Sequence, residues 1–168
     1  MIKRALAIAV PLAFLAACSD DSDTVHTIST GTYAVSGATS AQALDTCGLL
    51  PAYQDPTKRI GITVVGADAI FNLANDPDAD PDSLPRGLIN GNAIEQATEA
   101  DYTVAYGSAD CVVRIRRSVT GELTGNDQSA LTLKFSAAVD AGTCAPSDTS
   151  FTNLPCDSSY HFLANKVQ

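Results

Sequence analysis

The sequence predicts an all-β domain: an antiparallel sandwich or up-and-down barrel of about eight to ten short strands, with at most one short helix. Three observations predict it. Thr, Ser, Ala, Val, Gly and Asp dominate, while long charged helix formers are scarce: there are three Glu and, beyond residue 17, three Lys. Strands and turns draw on that palette more than helices do. Apolar residues alternate with polar ones over several short runs. Turn residues then join these runs at spacings that keep the apolar positions of neighbouring strands on one face.

The first such hairpin runs through Ile60, Ile62 and Val64, followed by Gly66-Ala67. Glycine at the first turn position suits a type II′ turn. Pairing across it sets Val64 opposite Ala69, Ile62 opposite Phe71 and Ile60 opposite Leu73, all on one face. In the second, Tyr102, Val104 and Tyr106 precede Gly107-Ser108-Ala109-Asp110. Setting Tyr106 opposite Cys111 places Val104 beside Val113 and Tyr102 beside Ile115, with Cys111 pointing inward. The outer face then matches Asp101 with Arg116 and Thr103 with Arg114. In the third, Val119–Leu123 leads through a three-residue loop, Gly125-Asn126-Asp127, to the alternating Leu131, Leu133, Phe135, Ala137 and Val139. That loop keeps Val119 and Leu133 on the same face, as in a bulged hairpin turn.

Weaker strands are expected over Val25–Val35, Arg86–Asn90, Ala93–Thr98 and Tyr160–Asn165. One short helix is expected over Ala41–Cys47, capped by Ser40 and ended by Gly48.

The amino end has the anatomy of an export signal. Lys3 and Arg4 are basic, Ala5–Phe14 is apolar but too short to span a bilayer, and Leu15-Ala16-Ala17-Cys18 follows. This stretch resembles the leader of bacterial lipoprotein precursors, whose lipobox has Leu at −3, small residues at −2 and −1, and Cys at +1. The resemblance covers residues 1–19. It implies that residues 1–17 are a signal peptide, that the Cys18 sulfur takes up a diacylglyceryl group, and that the freed amine is then acylated. Several acyl chains at about 0.8 kcal/mol per buried methylene make a durable anchor. Ser19 in place of Asp implies sorting to the outer membrane. Residues 18–24 then read as an acidic tether and 25–168 as a single β-rich domain. The body of the chain resembles no family.

With 10 basic and 19 acidic residues the chain carries −9, and loss of Lys3 and Arg4 leaves 8 against 19, or −11. Such a surface repels nucleic acid and anionic headgroups, so no nucleic-acid partner is expected. The expected membrane contact is the lipid on Cys18.

Of five cysteines, that lipid would consume one, leaving Cys47, Cys111, Cys144 and Cys156. An even remainder in an oxidising compartment argues for two disulfides, with three pairings open. The short Pro- and Ser-containing loop favours Cys144–Cys156, which leaves Cys47–Cys111.

Candidate sites are few. Asp76, Asp78, Asp80 and Asp82 alternate like a calcium loop, but Pro81 and Gly87 stand where an EF-hand needs Gly and Glu. A stiff solvated loop is the better reading. Arg114, Arg116 and Arg117 form a basic cluster. Ordinary cross-strand pairing accounts for most of it, yet Arg117 has inward parity and is the candidate anion contact. Tyr33, Tyr53, Tyr102, Tyr106 and Tyr160 serve as core and rim or line a pocket. His26 and His161 are not at metal-ligand spacing, and no C-x-x-C pair, nucleophile elbow, zinc-protease motif or P-loop occurs. No catalytic, metal or cofactor residues are assigned.

The expectation is therefore an outer-membrane-anchored, non-enzymatic binding or structural domain facing the periplasm or the cell surface. The alternatives are a lipocalin-like carrier of an apolar ligand and a hydrolase built from scattered carboxylates.

Overall fold

A computed structural model describes residues 24–40, 45–106, 111–145, 149, 151 and 153–167. The lipobox and Cys18 lie outside the described residues.

Nine strands form one antiparallel sheet: β1 (Gly31–Ser40), β2 (Arg59–Val65), β3 (Asp68–Asn72), β4 (Arg86–Asn90), β5 (Ala93–Thr98), β6 (Ala100–Ala105), β7 (Cys111–Gly125), β8 (Gln128–Gly142) and β9 (Cys156–Lys166). One helix, α1 (Leu50–Gln54), joins them. The strand order is β5-β4-β3-β2-β1-β9-β8-β7-β6. β5 also pairs with β7, through Ala93↔Glu122 and Ile94↔Gly121. The hydrogen-bonded ring is therefore closed, with sequential neighbours except at the β5–β7 seam and where β1 lies beside β9. That is the connectivity of an up-and-down barrel, in which edges are consumed rather than protected. β6 continues the line of β5 along the first half of β7.

Closure depends on Gly121, which meets Ile94 on one side and Leu131 on the other. A Cβ there would come within 2.2 Å of the Ala130 carbonyl oxygen and 3.1 Å of the Leu131 Cα. Only a residue without a side chain lets three strands converge at this point.

Side chains of alternate residues fill the interior. Tyr33, Ile60, Phe71, Val113, Leu133 and Tyr160 are all fully removed from solvent. Each such burial is worth about 1.5–3 kcal/mol of transfer free energy.

The hairpin registers agree with expectation. Ile62↔Phe71 and Val64↔Ala69 pair across Gly66-Ala67, with Gly66 at φ 64°. Tyr102↔Ile115, Val104↔Val113, Asp101↔Arg116 and Thr103↔Arg114 pair as read, and Val119 faces Leu133.

Four expectations need correction. The β7–β8 loop is two residues, Asn126-Asp127, because Gly125 pairs with Gln128. The extra residue, Thr124, sits within the strand as a register shift, which preserves the parity. β1 starts at Gly31 rather than Val25. The backbone N–H groups of His26, Thr27 and Ser29 instead donate to the side chains of Asn92, Asn126 and Asp127. β9 begins earlier than expected, at Cys156, where it pairs with Ala137.

The helix lies at Leu50–Gln54 rather than Ala41–Cys47. Residues 41–44 lie outside the described residues, and 45–48 carry no helix. Gly48, at φ 75°, turns the chain, Pro51 suits a first helical turn, and the Asp45 carboxylate accepts from the Gly48 and Leu50 N–H groups at 2.8 and 2.6 Å.

Candidate functional site

The barrel has two unlike ends. One carries the tight turns Gly66-Ala67, Gly91-Asn92 and Asn126-Asp127. The other carries α1 and both disulfides. These are Cys47–Cys156 and Cys111–Cys144, not the expected Cys144–Cys156 and Cys47–Cys111. The ring explains the difference. Cys111 pairs with Gly142 in the β7–β8 ladder, so Cys144 emerges beside it. The loop after β1 lies along the start of β9, where the Cys47 N–H donates to Ser158 Oγ and Thr46 Oγ1 donates to the Asp157 carbonyl at 2.6 Å.

At this disulfide end the three arginines of β7 separate. Arg114 and Arg116 point outward. Asp101 accepts two hydrogen bonds from Arg114, each 2.7 Å, and lies 3.3 Å from Arg116. The bidentate geometry selects the diagonal partner over the directly facing one. Arg114 first, by hydrogen bonding, holds the Asp101 carboxyl below its usual range.

Arg117 follows the inward series Cys111, Val113, Ile115. It sits between Ala100 on β6 and Phe135 on β8. Its guanidinium carbon lies 4.9 Å from the centre of the Tyr102 ring. Its Nε is buried and has no hydrogen-bond partner among the described residues.

Two further side chains complete the cluster. Tyr53 of α1 stacks on Tyr160 and Phe162, which places α1 across the barrel mouth. The Lys58 ammonium, in the loop from α1 to β2, lies 5.2 Å from the centre of the Tyr53 ring. Burial first, and then the charge of Arg117, lowers the Lys58 ionisation, with Asp55 drawing it partly back. Burial pushes the Tyr53 phenol up to about 12, opposed by Arg117. The side chains are thus near enough for one cation to act on the other. Among the described residues no carboxylate lies in ion-pair contact with Arg117, Lys58, Arg59 or Lys134, whereas Arg86, Arg114, Arg116 and Lys166 each have one.

Of the five tyrosines, Tyr53, Tyr102, Tyr106 and Tyr160 gather at this end and Tyr33 at the other. Tyr160 donates to the Asp45 carboxylate, and burial and Asp45 both raise its ionisation. Tyr106 packs edge-on against Phe151.

The Asp76–Asp82 run turns its carboxylates to its own backbone: Asp76 accepts from the Asp78 N–H and Asp80 from the Asp82 N–H. Asp82 pairs with Arg86. Among the described residues no group of three or more His, Cys, Asp or Glu could hold a metal ion. His161 Nδ1 lies 2.8 Å from Thr132 Oγ1 on the outer surface. A concavity of about 660 Å³ opens along the outer face of β7–β9, and Arg116, Arg117, Lys134, Ser136 and Asp157 are among its lining residues.

Parity revealed Arg117 in advance. Lys58 carried no such signal, because it belongs to a loop without period. Comparison of the chain with family models, with curated proteins and with solved structures found no match.

Proposed function

We propose that the protein is an exported lipoprotein, anchored in the outer membrane through Cys18, whose barrel binds a ligand rather than transforming one. The observation that carries the export reading is the pairing of all four cysteines beyond Cys18 into two disulfides. Such bonds persist in oxidising compartments and are rare in the cytosol of ordinary bacteria. Cys18 is then the odd thiol, and it stands where a lipobox needs its nucleophile.

Side chains packed across the interior, from Tyr33 to Phe71 and Leu133, count against a large enclosed apolar ligand of the lipocalin kind. For a carboxylate hydrolase, a general acid must hold its proton near neutral pH, which requires a raised ionisation. Asp45, Asp55, Asp101 and Asp127 are all displaced the other way. The four low carboxyls favour binding over general-acid chemistry at those positions.

The test follows the full chain in a bacterial host with radiolabelled palmitate. The wild type is expected to carry label and to fractionate with outer membranes, and Cys18→Ser to lose label and remain unprocessed. A Cys18→Ser chain that is still processed and still membrane-bound overturns the proposal.

A further inference from the structure

We propose that Arg117 of β7 and Lys58 of the α1–β2 loop together bind a carboxylate. The inference deepens the binding role proposed above and names its site. It does not depend on the lipid anchor.

The first support is the unused donor of Arg117. A buried N–H without a partner forfeits about 1–3 kcal/mol, and groups left so are uncommon in folded proteins. The Nε–H and the adjacent Nη–H form one edge of the guanidinium, and that edge matches the two oxygens of a carboxylate. The Tyr102 ring lies against the guanidinium, 4.9 Å from its carbon to the ring centre.

The second support is Lys58. Its ammonium is held over Tyr53 and has no acid in contact among the described residues. Asp55, the nearest acid in sequence, is engaged by the Thr57 N–H and hydroxyl at 2.7 Å each. The chain has 19 acids and 10 bases, so carboxylates to neutralise two neighbouring cations are in surplus. Leaving both without one keeps a positive focus at a barrel mouth on a negative molecule. An anion that enters relieves their mutual repulsion and satisfies the free donor in one step.

Arg117, Lys58 and Tyr102 are each partly exposed, while the Arg117 Nε itself is covered, so an entering anion has to part the side chains over it. The partly exposed Tyr102 ring gives the body of the ligand an apolar wall, which favours a carboxylate on an aromatic or aliphatic frame over a compact inorganic anion.

The experiment titrates the purified full chain with benzoate, acetate and inorganic phosphate, following the Arg117 Nε–H resonance by NMR and affinity by calorimetry. Saturable benzoate binding that shifts this resonance is expected. Arg117→Gln and Lys58→Gln should each weaken it about tenfold or more, the loss of one charge-assisted contact. Lys166→Gln, at the turn end beside Asp127, should leave affinity unchanged. If Arg117→Gln fails to fold, the half-buried loop variant Lys58→Gln carries the test. Absence of saturable binding overturns the proposal. So does unchanged affinity in the folded Lys58→Gln protein, or an equal loss in Lys166→Gln. Phosphate binding with benzoate excluded overturns the carboxylate assignment. Palmitate labelling and fractionation report the anchor separately, so failure of either reading is seen on its own.

Discussion

The two ends of the barrel are closed by different physics. At the turn end, a polar network gathers around Asp127. Asp127 accepts from the Ser29 N–H at 2.8 Å and the Ser29 hydroxyl at 2.6 Å, lies 3.1 Å from the Tyr33 hydroxyl, and has Lys166 3.8 Å away. The Tyr33 hydroxyl donates to the Ser29 carbonyl at 2.6 Å. At the disulfide end, covalent bonds and stacked rings hold the chain, and among the described residues Arg117, Lys58 and Arg59 have no acid in ion-pair contact. An end built only for closure partners its charges. Each end also keeps one buried polar atom without a partner among the described residues: the neutral Ser129 hydroxyl at the turn end and the charged Arg117 Nε at the disulfide end.

The largest expected effect is the loss of a disulfide. In the loop-entropy account, Cys47–Cys156, spanning 109 residues, stabilises by about 5 kcal/mol, and Cys111–Cys144, spanning 33, by about 4 kcal/mol. Denaturant unfolding of Cys47→Ala/Cys156→Ala should register that loss. Hydrogen exchange should show it concentrated in α1 and the starts of β7 and β9, with the turn end still protected.

Next comes the closure point. Gly121→Ala must push the Ala130 carbonyl away and is expected to cost about 1–3 kcal/mol. The Ile94 and Glu122 amides at the β5–β7 contact should lose exchange protection first.

At the turn end, Asp127→Asn keeps a residue that tolerates φ 56° but removes the charge. It is expected to cost about 1–2 kcal/mol by the same unfolding measurement. Such a loss without change at α1 would sharpen the contrast between the ends.

The pH response engages both ends. The Asp127 carboxyl is held low, first by the Ser29 hydroxyl. Asp45 is pushed up by burial, but hydrogen bonds from Tyr160 and the Leu50, Leu49 and Gly48 N–H groups outweigh this and leave it lowered. Their stabilisation is full above about pH 4 and is lost as pH falls through the lowered folded values. Tyr33, raised by burial and Asp127, and Tyr53, raised by burial, each ionise at about 12. Their stabilisation is complete below about pH 10 and is lost as pH rises through those folded values. Phenolate absorbance followed alongside circular dichroism should show late tyrosine ionisation that coincides with unfolding.

The sequence made the local geometry legible. Strand parity is a property of neighbouring residues, so the β2–β3 and β6–β7 registers and the inward aim of Arg117 could be read from alternation alone. What ring closure decides could not be read that way. The cystine pairing follows from β1 lying beside β9, an adjacency between elements far apart in the chain. The seam at Gly121 and the position of Lys58 over Tyr53 arise in the same way. Asp101 shows a smaller limit: its facing residue is Arg116, but the guanidinium with bidentate reach is the diagonal one, Arg114.

The smallest expected effect tests the central contrast most directly. Arg117→Met keeps the volume of the side chain and removes the cation and its unpartnered donor. If this end is held open for a ligand, unfolding in the absence of any anion should show Arg117→Met about 1 kcal/mol more stable than the wild type, as when an uncompensated buried charge gives way to an apolar side chain. A loss of about 2 kcal/mol or more in the same measurement would make Arg117 part of the framework and contradict the account.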